Sequence, residues 1–272
     1  MGKRYGLAAS VTAGVVCLFL IFAGNSRMEK TADQQETTQA PVLTATPSEP
    51  VEEYSLTEEQ RALLDGVYEC MKQTDYTGAA RILNDNEQEF RDLYFTVMEG
   101  SPYYYDGTQA SKKSEGGRVI CFRAYATVFL GEFGENGLEG QGAALQAIRL
   151  DYPRYDYSVG TWNGGQLGGS GIIGYLYYDG IEGEEAREIK KEGTFKNGLM
   201  DGEITYTSVS SSGTETVWKL AAKNGVTVMD ERWVHDPDKG EYHLISETDA
   251  GRIYMLGEGD LETVLWKNMI NW

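Results

Sequence analysis

Glycine recurs in this chain at repeated intervals, and that spacing constrains the fold more than any other feature. Three segments carry it: Phe129 to Gly142, Ser158 to Gly171 and Lys191 to Ile204. In each, a glycine is followed two residues later by an aromatic: Gly131 and Phe133, Gly160 and Trp162, Gly193 and Phe195. Nine residues after the first glycine stands another: Gly140, Gly169 and Gly202. In two copies a further glycine follows at the eleventh residue, Gly142 and Gly171. Between the halves lie Asn136-Gly137, Gly164-Gly165 and Asn197-Gly198. Asn-Gly and Gly-Gly supply the positive φ angles of a two-residue hairpin turn. The pattern predicts a strand bearing an aromatic, a tight turn, and a return strand whose glycines leave room for a ring or a neighbouring backbone. Stacked hairpins of this kind make an elongated antiparallel sheet with contacts mainly between neighbours.

This arrangement resembles the MORN repeat family, whose unit reads roughly Tyr-x-Gly-x-Trp/Phe, a turn, then Gly-x-Gly. The resemblance covers about residues 105–206. Tyr105-Asp106-Gly107, with Gly116 nine residues on, looks like a degenerate first copy. Trp218 with Asn224-Gly225, and Trp233 onward, look like decayed later copies. The chain departs from the pattern in three ways. The leading Tyr is replaced by Phe129, Ser158 and Lys191. Ile204 stands where the third copy's last glycine belongs. The copies start 29 and 33 residues apart, longer than a regular array, which implies longer strands or extra loops. The resemblance implies a scaffold for protein contacts, dimerisation or lipid contacts, with catalysis left to other attached domains.

Ahead of the repeats the character is different. Residues Gly6 to Gly24 carry no charge, and these 19 residues are about enough to cross a hydrocarbon core of ~30 Å as a helix. Lys3 and Arg4 precede them, so the N-terminus is expected in the cytoplasm and the body outside it, with the membrane as first partner. A cleaved signal peptide ending near Ala23-Gly24-Asn25-Ser26, or a lipoprotein signal through Cys17, are the competing readings. Each of them also exports the body. Residues 26–54 are rich in Thr, Gln, Pro, Ser and Glu and read as a disordered tether. Thr57-Glu58-Glu59-Gln60 fits a capping box, after which Leu63, Leu64, Val67, Tyr68 and Met71 recur at helical spacing. Asp75 to Gly78 breaks the pattern, and a short helical turn covers 79–83. A second helix from Asp85 or Asn86 puts Phe90, Leu93, Tyr94, Val97 and Met98 on one face. The expected organisation is a membrane segment at 1–25, the tether at 26–54, a helical hairpin at 55–99 and a MORN-like repeat domain at 100–272. The fold class is thus mainly β. One αα-hairpin cannot bury its own face, so it is expected to dock on the β part as a cap, with a partner-binding groove as the sharper alternative.

Charge and composition narrow the function. The net charge is -18, and once Lys3 and Arg4 are set aside, 22 basic residues face 42 acidic ones. Such a body repels phosphate backbones, which argues against nucleic acid. Candidate chemistry is sparse. His235 and His243, eight apart, lack the further ligands of a zinc site and are expected exposed on strands. Gly168-Gly169-Ser170-Gly171 lacks the spacing of a nucleophile elbow. Asp236 to Glu241 hints at a calcium loop but reads better as a turn. Cys70 and Cys121 are expected as free, buried thiols, with a disulfide between them as the alternative. No metal or cofactor is expected. Tyr103, Tyr104 and Tyr105, then Tyr152, Tyr155 and Tyr157, offer a stacking surface for sugars or a partner, against the plainer reading of structural strand aromatics. The leading expectation is a non-enzymatic, membrane-tethered scaffold at the cell envelope that binds another protein or itself. A ligand-binding module for cell-wall glycan or a lipid headgroup comes second. A hydrolase with an unidentified carboxylate pair is a distant third.

Overall fold

The computed structural model describes residues 53–183, 185–245 and 252–272. The expected membrane span and nearly all of the tether lie outside the described residues. No described helix is long and apolar enough to cross a membrane. The last two residues assigned to the tether form strand β1 (Glu53–Tyr54).

Helix α1 (Glu58–Lys72) starts as its capping box dictates, with Thr57 and Gln60 each bonding the other's backbone N–H. The break at Asp75 is in fact an N-cap. Asp75 accepts a hydrogen bond from Gly78 N and starts a full helix, α2 (Tyr76–Asp85), where only a short turn was expected. Gly78 belongs there because a Cβ would lie 2.2 Å from Asp75 Oδ2. Helix α3 (Glu87–Asp92) runs into a π-helical turn at Leu93–Val97. Phe90, Leu93, Tyr94 and Met98 point inward, while the wider turn leaves Phe95 56% exposed.

Among the described residues, most strands join one antiparallel sheet: β2 (Tyr103–Tyr105), β3 (Ala110–Ser111), β4 (Val119–Ala124), β5 (Thr127–Gly134), β6 (Gly137–Ile148), β7 (Arg154–Asn163), β8 (Gln166–Tyr177), β9 (Ala186–Lys196), β10 (Leu199–Ser210), β11 (Glu215–Lys223) and β12 (Val226–Val228). The order is β1-β3-β2-β4 and then an unbroken meander from β4 to β12. Strands of 10–12 residues in β6–β10 account for the long repeat spacing. A second sheet orders β13 (Trp233–Asp236), β14 (Glu241–Ile245) and β15 (Arg252–Gly257). The segment Asp236 to Glu241 is the turn of the β13–β14 hairpin.

Two covers lie on opposite faces of the large sheet. The helices bury Ile120, Phe122, Val128, Leu130 and Leu145 on one face. On the other, Trp233, Leu244 and Leu256 of the small sheet share a core with Ile204, Tyr206, Trp218 and Leu220. Burial of each such side chain stabilises by about 1.5–3 kcal/mol. Both Cys70 and Cys121 are free thiols; Cys121 is fully buried and Cys70 half-buried.

Candidate functional site

The glycine spacing becomes legible in the sheet register. Gly142 pairs with Gly160, Gly160 with Gly171, Gly171 with Gly193, and Gly193 with Ile204. The first and last glycines of the copies therefore form one row across the strands, continued by Gly131, the bulged residue of β5. Space demands glycine in this row, and at Gly160 a φ of 152° demands it as well. A Cβ would lie 2.4 Å from Leu138 at Gly131, 2.9 Å from Leu130 O at Gly142, 2.5 Å from Ser170 O at Gly160, and 2.7 Å from Glu203 O at Gly193. Gly171 is held by Phe195, 3.2 Å from its notional Cβ. The middle glycines serve a different need. Gly140, Gly169 and Gly202 have φ of 66°, 101° and 125°, with little or nothing near them, so backbone conformation selects them.

Next to each turn an aromatic pairs across the hairpin with an aliphatic: Phe133 with Leu138, Trp162 with Leu167, Phe195 with Met200. The aliphatic partner escaped the sequence reading, although it recurs seven residues after the leading glycine. The turns themselves are Gly164-Gly165, Asn197-Gly198 and Asn224-Gly225, with both residues of each at positive φ. The first hairpin turns at the same place relative to its aromatic, so its turn is Glu135-Asn136, one residue before the expected Asn136-Gly137, and Gly137 follows it at φ 116°. Tyr105-Asp106-Gly107 and Gly116 do not build such a hairpin; both glycines lie in loops around the short strand β3.

The turns stack. Gly165 N donates to Leu138 O at 3.0 Å, Gly198 N to Leu167 O at 2.8 Å, and Gly225 N to Met200 O at 2.9 Å. A C-terminal strap, Leu265 to Trp272, runs over this column. Trp266 N donates to Gly225 O, Asn268 N to Gly198 O, and Trp272 N to Gly165 O. In the fourth hairpin Ala222 faces Thr227 where the earlier hairpins pair an aromatic with an aliphatic. There the strap supplies the ring: Trp266 is 1% exposed, and its Nε1 donates to Thr227 Oγ1 at 2.8 Å.

The expected tyrosine surface is largely covered, and of its six members only Tyr152, 38% exposed, faces solvent. Tyr103 and Tyr105 are 0% exposed, Tyr155 is 6% exposed, and Tyr157 is half-buried. They lie on the face that the helices cover, which is why strand alternation alone misplaced them. Tyr105 donates to Asp65 Oδ1 at 2.6 Å, and Tyr157 stacks on Tyr76 at 5.9 Å. Burial, reinforced by Asp65, pushes the Tyr105 hydroxyl far above its ordinary value; burial first, then Glu188, does the same for Tyr157. Tyr104 points the opposite way, into a cluster with Phe133 and Trp272, over which Arg123 lies at 5.0 Å. The histidines also differ from expectation. The β13–β14 register pairs His235 with Tyr242 and Val234 with His243, which puts the two imidazoles on opposite faces. His243 is buried, 3.5 Å from Asp236, and only His235 is exposed. Among the described residues no group of three or more His, Cys, Asp or Glu could hold a metal.

One cavity combines burial with charge. It lies between β7–β9 and the strap, measures about 100 Å³, and is lined by Asp156, Lys191, Ile173, Ile189 and, from the strap, Lys267 to Ile270. Asp156 sits 3.2 Å from Arg154 Nε. Lys191 Nζ sits over two rings, 5.3 Å from Trp266 and 5.9 Å from Tyr206. Burial pushes the Lys191 ammonium below its ordinary value, against the pull of Asp156. Burial likewise raises Asp156, opposed by Arg154 and Lys191. Residue type alone could not single these groups out among so many charges. The one available signal was that Ser158 and Lys191 replace the leading aromatic of their copies. No family model, no curated protein and no solved structure matches the chain.

Proposed function

We propose that this chain is a membrane-tethered, non-enzymatic interaction scaffold built on MORN-like hairpin repeats, with its body outside the cytoplasm. The observation that carries the reading is the second face of β8–β11. The helices cover this side as far as β7 and the Leu176 end of β8, and the small sheet packs on the other side. The bare face presents Ser170, Glu192, Thr194, Glu203, Thr205 and Lys219 in cross-strand rows. It is mainly polar, with Ile172 and Val217 among its residues, and the glycine row, the turn column and the strap hold its backbone from behind. A rigid, mainly polar face suits a protein partner or a second copy. The tether follows from the charge-free residues 6–24 and the two basic residues before them.

The test is site-specific photocrosslinking of the full chain in its native membrane. The crosslinker is placed at Glu192 or Thr205, with Ser212 in the exposed β10–β11 turn as control. Discrete products at the two face positions, absent at the control, are expected. Their loss on Thr194→Arg would assign them to this face. A smear or no product at both positions would sink the reading.

A further inference from the structure

The leading positions of the three copies, Phe129, Ser158 and Lys191, fall in one cross-strand row: Phe129, Ala144, Ser158, Ile173, Lys191, Tyr206. Phe129 is fully buried and fills its place with a ring. In the second and third copies a hydroxyl and an ammonium stand instead, and the space they leave is the cavity of about 100 Å³ under the strap. Its roof is ordered from within. Ser158 donates to Asn268 Oδ1 at 2.5 Å, Ile270 N donates to the same oxygen, and Asn268 Nδ2 returns a bond to Ile270 O.

The polar lining is unbalanced. Asp156 already has a cation in Arg154. The Lys191 ammonium has ring contacts but no hydrogen bond or ion pair among the described residues. A half-buried ammonium with no carboxylate within ion-pair distance of its tip is incompletely solvated, and an anion in the cavity would complete it. On a chain of net charge -18 this is a locally cationic spot. The walls are apolar, Ile173, Ile189 and Ile270. The volume admits several waters, at ~30 Å³ each in the liquid, or one ligand of a few heavy atoms. Asp156 disfavours a second negative charge, so a monoanion fits better than a dianion.

We propose that this cavity binds a short-chain aliphatic carboxylate, with the carboxylate on Lys191 Nζ and the alkyl tail against the isoleucines. The site is independent of the exposed sheet face and needs no protein partner.

Calorimetric titration of the full chain in detergent tests it, with sodium propionate as ligand. Ionic strength is held with sodium gluconate, whose anion is too large for the cavity. Inorganic phosphate and 1-propanol serve as charge and tail controls. Trp266 fluorescence gives a second readout, because its ring lies beside Lys191. Saturable propionate binding is expected. Lys191→Met should weaken it at least tenfold, Lys191→Arg should retain it, and phosphate and propanol should bind at least tenfold more weakly. Lys191→Gln gives a second charge-removing variant should the methionine form fold poorly. No saturation in the wild type, or equal saturation in the folded Lys191→Met or Lys191→Gln protein, would show that the cavity holds only water. Phosphate binding tighter than propionate would overturn the carboxylate assignment.

Discussion

Replacing Gly160 by alanine should destabilise the sheet chiefly through space, with a φ of 152° adding to the cost, and replacing Gly140 should do so through left-handed backbone conformation alone. The two mechanisms can be told apart. At Gly160 a Cβ would lie 2.5 Å from Ser170 O and 2.7 Å from Gly171 Cα. Both are backbone atoms of the neighbouring strand, so no side chain can swing aside. Strands β7 and β8 must part by about 1 Å to restore ordinary contact. Overpacking of this kind costs about 1–3 kcal/mol, and each weakened ladder hydrogen bond adds up to ~1 kcal/mol. The expected loss is about 2–4 kcal/mol, or about 1–2 M in urea midpoint at an m-value of ~2 kcal/mol/M. At Gly140 nothing lies within 4 Å of the notional Cβ and φ is 66°. Alanine there costs about 1–2 kcal/mol, and asparagine costs less because it visits the left-handed region readily. The ranking of substitutions must therefore invert. Alanine is better than asparagine at position 160, and asparagine is better than alanine at position 140. Urea unfolding followed by far-ultraviolet dichroism reads both pairs. If asparagine is tolerated equally at both positions, the division of the repeat glycines into space and conformation is wrong.

Two further outcomes follow from the same geometry. Trp266→Ala empties the ring position of the fourth hairpin and leaves Thr227 without its donor; a loss of about 3–5 kcal/mol is expected, with amide exchange accelerated at Gly198 and Gly225, and unchanged exchange there would deny the strap its role. Alkaline titration should show two opposed trends: Lys191 is depressed from 10.5 by burial, so between its folded value and 10.5 the unfolded chain holds more protons and stability rises with pH, a rise that Lys191→Met removes. Burial pushes Tyr104 up to about 12 and Tyr157 and Tyr206 higher still, so above pH ~10 the unfolded chain releases protons first and stability falls; a midpoint flat from pH 9 to 11 in both proteins would contradict these assignments.

Local chemistry was well written into the sequence, and long-range covering was not. Thr57 with Gln60, and the Gly164-Gly165, Asn197-Gly198 and Asn224-Gly225 turns, act through residues at most three apart, and each forms as its residues dictate. The turn at Asn136-Gly137 slipped by one because Gly137 is usable just after a turn as well as within it. Asp75 misled because a helix stop and a helix N-cap favour the same residue types. Tyr103, Tyr105, Tyr155 and His243 were misplaced for a different reason. Alternation along a strand says which residues share a face, but not which face another element covers. The cavity residues were hidden for the same cause: Ser158 and Lys191 gain meaning only when the strap, more than 70 residues later in the chain, closes over them.

Yet the extent of each cover is partly encoded in where alternation stops. In β4 and β5 consecutive residues are buried, Val119 to Phe122 and Val128 to Gly131, and β6 buries Gly142 to Leu145. A strand buried on both faces reads as an apolar run, because no side faces water. In β11 the pattern alternates, with Trp218, Leu220 and Ala222 buried and Val217, Lys219 and Lys223 exposed. A half-buried antiparallel strand must read that way. The switch from run to alternation therefore marks where the helices end and the bare face begins. That face is mainly polar because it is solvated, which alone would make it ordinary. It is set apart by what lies behind it. The glycine row leaves β7–β10 no slack, the turn column fixes their ends, and the strap ties the column to the small sheet's core. A surface held this rigidly loses little conformational entropy on binding, so the packing that stabilises the repeats also favours the scaffold role proposed for them.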